Sequence, residues 1–576
     1  MTAPGAGVAV DVSVGLSARP FSAAAVPSLD GVTGWPAELA ERYRAAGYWR
    51  DETLGGLLRD WAARSGDKVA LRDGRPGGTS LSYAELDRRA DATAAGLRGL
   101  GIAPGDRVVV HLPNTPDFVV VLFALLRCAA VPVLALPAHR FVEIEHLATL
   151  SDAVAYVIPD RHDGFDYREL AARVSAAAPA LRHVLVAGEP GPFTALDQLS
   201  SSVAGGESSP AGGASLPEVD PGEVAVLLIS GGTTGKPKLI PRTHRDYAYN
   251  ARASAELCGL ASDDVYLASL PIAHNFPLAC PGLLGAFGVG ASVVLAPAPS
   301  PDVCFELIER ERVTVTALVP PMARMWTDNA EWDARDRSSL RLLQVGGAKL
   351  DGALARRIPP ALGCAVQQVF GMAEGLLNYT RLDDPADLVA DTQGRPLCPD
   401  DEIRVVSEGV PVADGSVGEL WTRGPYTLRG YYRADAYNAG AFTPDGFYRT
   451  GDLVRQLPSG HLVVEGRSKD VINRGGENVS AATLEEHLLA HPSLAAVAVL
   501  GVADESVGER VYAVVTLTAA AGGRAPKLRE VRAFLADRGL ARFFNPDKLV
   551  VRDALPLTGV GKIDKRELGN WLAENP

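Results

Sequence analysis

Cysteine is scarce in this 576-residue sequence, and its six copies, Cys128, Cys258, Cys280, Cys304, Cys364 and Cys398, show no C-x-x-C spacing. The pattern points to neither a zinc site nor a disulfide framework and fits a reducing cytoplasm. A basic leader followed by an apolar core is missing from the first thirty residues, and the longest apolar run, Phe118 to Leu126, is too short to span a bilayer. Neither export nor membrane embedding is expected. Basic excess is also absent: a net charge of −13 and a pI near 5.4 argue against a general nucleic-acid binder. No internal repeat is evident.

What is present is a globular composition, 47% hydrophobic and 22% charged, in a chain too long for one core. Residues 1–50, rich in Ala, Gly, Pro and Val without a period, read as an irregular arm over the first domain. Leu54 to Gly101 reads as two helices around a short strand. A strand at Arg107 to Leu112, a helix at Pro116 to Cys128 and a strand at Val131 to Leu136 follow. This βαβ punctuation predicts an α/β fold with mostly parallel sheets flanked by helices. Ala187 to Pro221 reads as a low-complexity surface loop. Further apolar strands are expected at Ala291 to Leu295, Val313 to Val319, Leu340 to Val345 and Ala365 to Phe370. Beyond Pro396 the pattern turns antiparallel, at Glu402 to Val406, Gly418 to Arg423 and Leu462 to Gly466, which predicts a β-rich subdomain. A boundary near Lys469 divides a large N-terminal domain, 1–468, from a small α+β domain, 469–576, of ordinary small-domain size.

The segment Leu228 to Pro237 places a glycine- and hydroxyl-rich loop directly after an apolar strand. Gly231, Gly232 and Gly235 free backbone N–H groups to face an anion; Ser230, Thr233 and Thr234 add hydroxyl donors, and Lys236 adds positive charge. It is a phosphate cradle but not a Walker A loop, because Ser230 stands at the first glycine position and Pro237 follows the lysine.

Six more motifs follow in order: Pro271-Ile-Ala-His-Asn-Phe-Pro277, Gly346-Gly-Ala-Lys349, Gln368-Val-Phe-Gly-Met-Ala-Glu374, Tyr448-Arg-Thr-Gly-Asp452, Gly466-Arg-Ser-Lys-Asp470 and Pro556-Leu-Thr-Gly-Val-Gly-Lys562. From about Leu54 to Leu572 the chain thereby resembles the adenylate-forming superfamily of acyl-CoA ligases, luciferases and peptide-synthetase adenylation domains. Within it the wording resembles the stand-alone aryl acid:AMP ligases of siderophore-type biosynthesis, the salicylate and 2,3-dihydroxybenzoate ligases. The resemblance implies a two-step reaction. A carboxylate attacks the α-phosphorus of ATP to give acyl-AMP and pyrophosphate, and a thiol then takes the acyl group.

Two anions must meet, so positive charge has to stand between them. The resemblance assigns that role to Lys562, carried by a mobile C-terminal lid domain, and puts His274 beside the carboxylate and α-phosphate. Glu374 resembles the family's Mg²⁺ ligand, a single carboxylate sharing the metal with phosphates. Asp452 and Arg467 are expected at the ribose, Gly347 and Ala348 with Val369 and Phe370 around the adenine, and the Ser230 to Lys236 loop on the β- and γ-phosphates.

For the acid, the resemblance points to Asn275, whose amide is expected to bond the ortho oxygen of a 2-hydroxybenzoate, with Phe276, Ala348 and Val369 beside it. The residue before Asn275 is histidine, so the aspartate that would meet an α-ammonium group is missing. Cys280 replaces the serine typical of 2,3-dihydroxybenzoate ligases, and a thiol is a poorer partner for a second hydroxyl. Leu377 replaces the smaller valine typical there. Both departures favour salicylate, with 2,3-dihydroxybenzoate and 6-methylsalicylate as alternatives.

Lys469 falls at the family's interdomain hinge, and Gly475 and Gly476 are expected to line the thiol channel after a rotation that withdraws Lys562. No carrier domain follows Leu572, so the implied phosphopantetheine acceptor is a separate aryl carrier protein or peptide-synthetase module, with coenzyme A as the rival thiol. No nucleic-acid or membrane partner is expected.

Overall fold

The computed structural model describes residues 29–200, 217–230, 237–474, 477–504, 508–538, 540, 544–559 and 561–575. Two large sheets dominate the first part of the chain. One has seven strands in the order Leu239–Thr243, Val224–Ile229, Val131–Leu134, Arg107–Val110, Ala155–Pro159, His183–Ala187 and Thr194–Ala195. All neighbours run parallel except Leu239–Thr243, which pairs antiparallel with Val224–Ile229. The second sheet has nine strands, with a parallel centre running from Ala365–Gly371 through Leu342–Gly346, Val315–Leu318, Val265–Ala268 and Ser292–Leu295 to Val69–Asp73, and antiparallel edges.

Side-chain alternation along these strands builds separate cores on the two faces. Val108 and Val110 face one core and Val109 another; Val293 and Leu295 likewise oppose Val294. The faces that look at each other are filled by the helices Leu54–Ser65, Tyr83–Gly99, Pro116–Arg127, His244–Leu257 and Gly282–Gly288. Sandwiched between two sheets, Pro116–Arg127 has almost no solvent face, which is why its apolar run is continuous rather than amphipathic.

Strands Glu402–Ser407, Val417–Arg423, Tyr448–Gln456 and Leu462–Arg467 form an antiparallel sheet. A 3₁₀ turn, Ser468–Asp470, leads from it to a last sheet built around the hairpin Leu494–Asp504 and Gly508–Leu517. One face of this hairpin, Val497, Val499, Val511, Ala513 and Val515, packs on the helices Ala481–Leu489 and Leu528–Asp537. The other, Ala498 and Val514, packs on Leu568 and Leu572 of Lys565–Glu574. Among the described residues no helix is long and apolar enough to cross a membrane.

Three expectations are corrected. The stretch 1–50 is not an irregular arm throughout, because Ala37–Ala45 is a helix. Trp35, Tyr43 and Trp49 meet edge-to-face at 5.0–5.8 Å, and Trp49 Nε1 donates to Pro425 O at 2.9 Å. Bulky aromatics, not helical periodicity, anchor this segment. The single strand expected between the first long helices is a hairpin, Val69–Asp73 with Ser80–Ser82. The low-complexity stretch begins with an ordered edge: Thr194–Ala195 pairs with His183–Ala187, and Leu196 and Leu199 are buried.

Candidate active site

The site lies where the parallel strands of the large sheets end and the C-terminal unit approaches. Strand Leu342–Gly346 delivers the loop that begins at Gly347, whose φ of +84° favours glycine. A Cβ there would sit 3.2 Å from Lys562 Cε and 3.3 Å from Val319. Leu270, Pro271, His274, Phe276, Val319, Gly347 and Lys562 enclose one pocket, and Ala348 is exposed next to it.

Lys562 reaches this pocket from a tight loop ahead of the helix Lys565–Glu574. Its N–H donates to Thr558 Oγ1 at 3.2 Å, and Thr558 N–H donates to Lys562 O at 2.6 Å. Burial pushes the ammonium down to about 8, helped by repulsion from Arg467 and opposed by Asp452 and Glu374. His274 caps the short helix Asn275–Ala279, its Nδ1 accepting from Phe276 N–H at 3.3 Å. Burial and then the Lys562 charge push its pKa down to about 3, so the ring is neutral at physiological pH with its proton on Nε2.

Glu374 projects from the turn after Ala365–Gly371. Gly375 follows at φ +105°, and a Cβ there would meet Thr427 Cα and Tyr426 O at 2.4 Å, so this backbone has no room for a side chain. Tyr431 donates its hydroxyl to Glu374 Oε1 at 2.8 Å and also meets Tyr448 Oη at 2.8 Å. Lys238 Nζ lies 4.0 Å from the Tyr437 ring centre, and the attraction of Glu374 partly offsets its desolvation. Asp452 and Arg467 are register partners on adjacent strands, joined at 2.9 Å, and Asp452 is the first cause raising the Arg467 pKa.

Ser230 closes the base of the glycine-rich loop: its N–H donates to Lys238 O at 2.9 Å, and its hydroxyl accepts from Lys238 N–H at 3.0 Å. Thr233, Thr234, Gly235 and Lys236, like Gly475 and Gly476, lie outside the described residues. Lys469 sits in the 3₁₀ turn between the last two sheets.

Behind the pocket, Val369 is buried and Phe370 half-buried on Ala365–Gly371, and Leu377 is buried on the neighbouring strand. Asn275 and Cys280 are also buried, with Asn275 Nδ2 3.3 Å from Cys280 Sγ. Three residues not anticipated from sequence complete this wall: Arg242, Tyr247 and Asn250. Tyr247 donates to Asn275 Oδ1 at 2.9 Å, and Asn250 Nδ2 donates to Ala279 O at 2.6 Å. Arg242 donates to Asp246 at 2.7 Å and to Ala373 O at 3.1 Å. The available signal was a polar stripe at i, i+3 and i+7, Tyr247, Asn250 and Ser254, all buried on one face of the helix His244–Leu257. The cleft as a whole sets Lys562, Arg467 and Lys238 among two carboxylates, an arrangement able to gather anions and screen their repulsion.

Residues 58–432 match the AMP-binding enzyme family and residues 483–562 match the AMP-binding enzyme C-terminal domain. The chain is 54% identical to the salicyl-AMP ligase / salicyl-S-ArCP synthetase of Mycobacterium tuberculosis, over 95% of this chain and 96% of that protein. It is 51% identical to the 2,3-dihydroxybenzoate-AMP ligase of Bacillus subtilis, over 95% and 98%. The apo structure of Mycobacterium smegmatis MbtA superposes with a TM-score of 0.71 at 52% identity, covering 94% of this chain and 98% of that one. A cleft built for anions, both family domains in order and full-length likeness to aryl acid ligases lead to one conclusion: the chain belongs to the AMP-binding enzyme family, as an ATP-dependent ligase that adenylates aryl acids.

Proposed function

We propose that the aryl acid is salicylate and that the salicyl group is passed from salicyl-AMP to the phosphopantetheine thiol of a separate aryl carrier protein in siderophore-type peptide synthesis. The observation that carries the reading is the buried pair of Asn275 and Cys280. Asn275 offers an amide N–H to an ortho oxygen, while the Cys280 sulfur, already bonded within the wall, offers nothing to a 3-hydroxyl. Leu377 narrows the same cavity. Similarity to a salicyl-AMP ligase supports this choice.

In the first half-reaction Lys562 stands between carboxylate and α-phosphate and lowers the cost of bringing two anions together as the carboxylate oxygen attacks phosphorus and pyrophosphate leaves. Neutral His274 donates from Nε2 to the same oxygens. Asp452 and Arg467 hold the ribose, the Gly347–Ala348 backbone with Val369 and Phe370 walls the adenine, and Ser230, Thr233, Thr234, Gly235 and Lys236 hold the departing phosphates. Glu374, a lone half-buried carboxylate with one oxygen steadied by Tyr431, suits a magnesium ion that keeps most of its ligands from water and phosphate. When bound, that ion neutralises charge on the leaving pyrophosphate. For the second half-reaction the C-terminal unit turns at Lys469, withdraws Lys562 and brings Gly475 and Gly476 to a channel for the thiol. The buried, reduced cysteines suit cytoplasmic work.

ATP–pyrophosphate exchange with salicylate, 2,3-dihydroxybenzoate, 6-methylsalicylate and benzoate tests the acid. Salicylate is expected to lead, and benzoate equalling it would refute the role of Asn275. Loading of a carrier protein against thioester formation with coenzyme A tests the acceptor. Preference for coenzyme A would overturn the carrier assignment.

A further inference from the structure

The hydrogens in the wall behind the pocket can be assigned one after another. The Arg242 guanidinium only donates, so the side-chain group of Asn250 that faces it at 3.5 Å is Oδ1. Asn250 Nδ2 therefore turns to Ala279 O and, at 3.8 Å, to Cys280 Sγ. The single thiol hydrogen of Cys280 goes to Asn275 O at 3.5 Å, which leaves the sulfur as an acceptor. The Asn275 group at 3.3 Å from that sulfur is then its NH₂, and its Oδ1 receives the Tyr247 hydroxyl at 2.9 Å. Arg242 is fixed in turn by Asp246 and lies over the Tyr247 ring at 4.8 Å. The amide of Asn275 thus has one orientation, with one N–H on sulfur and the second left over.

We propose that Tyr247 is a positioning residue that locks Asn275 as a donor, so that the pocket requires an ortho substituent able to accept a hydrogen bond and rejects an ortho amino group. This rests on the salicylate reading above. Salicylate directs its phenolic hydrogen to its own carboxylate and presents oxygen lone pairs outward. 2-Aminobenzoate directs one N–H to its carboxylate and the other outward, where it confronts the Asn275 N–H donor to donor. A buried site that mates with a hydroxyl penalises such a mismatch strongly, because neither donor finds an acceptor.

Pyrophosphate exchange with salicylate, 2-aminobenzoate and benzoate provides the test. The wild-type enzyme is expected to favour salicylate over 2-aminobenzoate by at least about 100-fold in kcat/KM. Tyr247→Phe is expected to narrow that ratio to under about tenfold, through a raised KM for salicylate, while KM for ATP and the rate with benzoate stay unchanged. Asn275→Asp, which removes the donors at constant shape, is expected to invert the order in favour of 2-aminobenzoate, and it decides the matter if Tyr247→Phe fails to fold. Equal use of the two ortho-substituted acids by the wild type, an undiminished ratio in Tyr247→Phe, or salicylate still preferred by Asn275→Asp would each overturn the proposal. If salicylate shows no advantage over benzoate in the wild type, the salicylate reading itself falls.

Discussion

In the proposed reaction Lys562 faces opposing demands: it would have to be charged to stand between two anions, yet its pocket strips it of water. With its pKa pushed down to about 8 by burial and Arg467, the free enzyme loses the charged form as pH rises through that value. Adenylation measured as kcat/KM is therefore expected to fall about tenfold per pH unit above 8. Transfer from supplied salicyl-AMP should lack that limb. Lys562→Ala should act in the same sense, nearly abolishing pyrophosphate exchange while sparing transfer from the preformed adenylate; equal loss in both steps would refute the role given to this lysine. Such residues were legible because motif order places them. Arg242, Tyr247 and Asn250 were less so: Arg242 lies on the strand Leu239–Thr243, and only the packing of His244–Leu257 against Asn275–Ala279 brings Tyr247 to Asn275 and Asn250 to Ala279.

Among elements, the turn between Ala365–Gly371 and Leu377–Tyr379 has no room for a side chain at Gly375. Gly375→Ala would drive a methyl into Thr427 and Tyr426 backbone, and the cheapest relief displaces Glu374 next to it. The thermal midpoint is expected to fall, by about 1–3 kcal/mol of stability, together with a raised requirement for magnesium in exchange assays. An unchanged magnesium titration would show that Glu374 does not depend on this turn. The buried parallel strands were readable because short β-branched runs are followed by Thr-Pro or Ser-Pro helix starts, at Thr115-Pro116 and Ser300-Pro301. Ala37–Ala45 is not legible in the sequence because it buries only Leu39, Ala40 and Tyr43, too few to set a period. The Thr194–Ala195 edge is too short to carry one at all.

Over the whole molecule, two polar contacts between described residues join the C-terminal unit to the larger one. Ser480 Oγ donates to Glu465 O at 2.9 Å, and Lys349 Nζ meets Glu486 at 2.9 Å across the cleft. Gly559 and Gly561 lie against Ala138 and Val319. The Lys349–Glu486 pair is partly exposed and worth at most about 1 kcal/mol. Lys349→Ala is accordingly expected to slow exchange no more than about fivefold at low ionic strength, with the difference vanishing in high salt. A larger or salt-insensitive loss would mean that the pair does more than bias the lid. Light coupling of this kind suits the docking and withdrawal proposed for this unit.

All six thiols are buried, and none occurs in the sequence after Cys398. The folded enzyme is thus close to silent toward thiol reagents, and the C-terminal unit carries no native sulfhydryl. A single cysteine introduced at exposed Val551 would take a fluorophore at one place without first stripping native thiols, turning the proposed rotation into a directly visible signal.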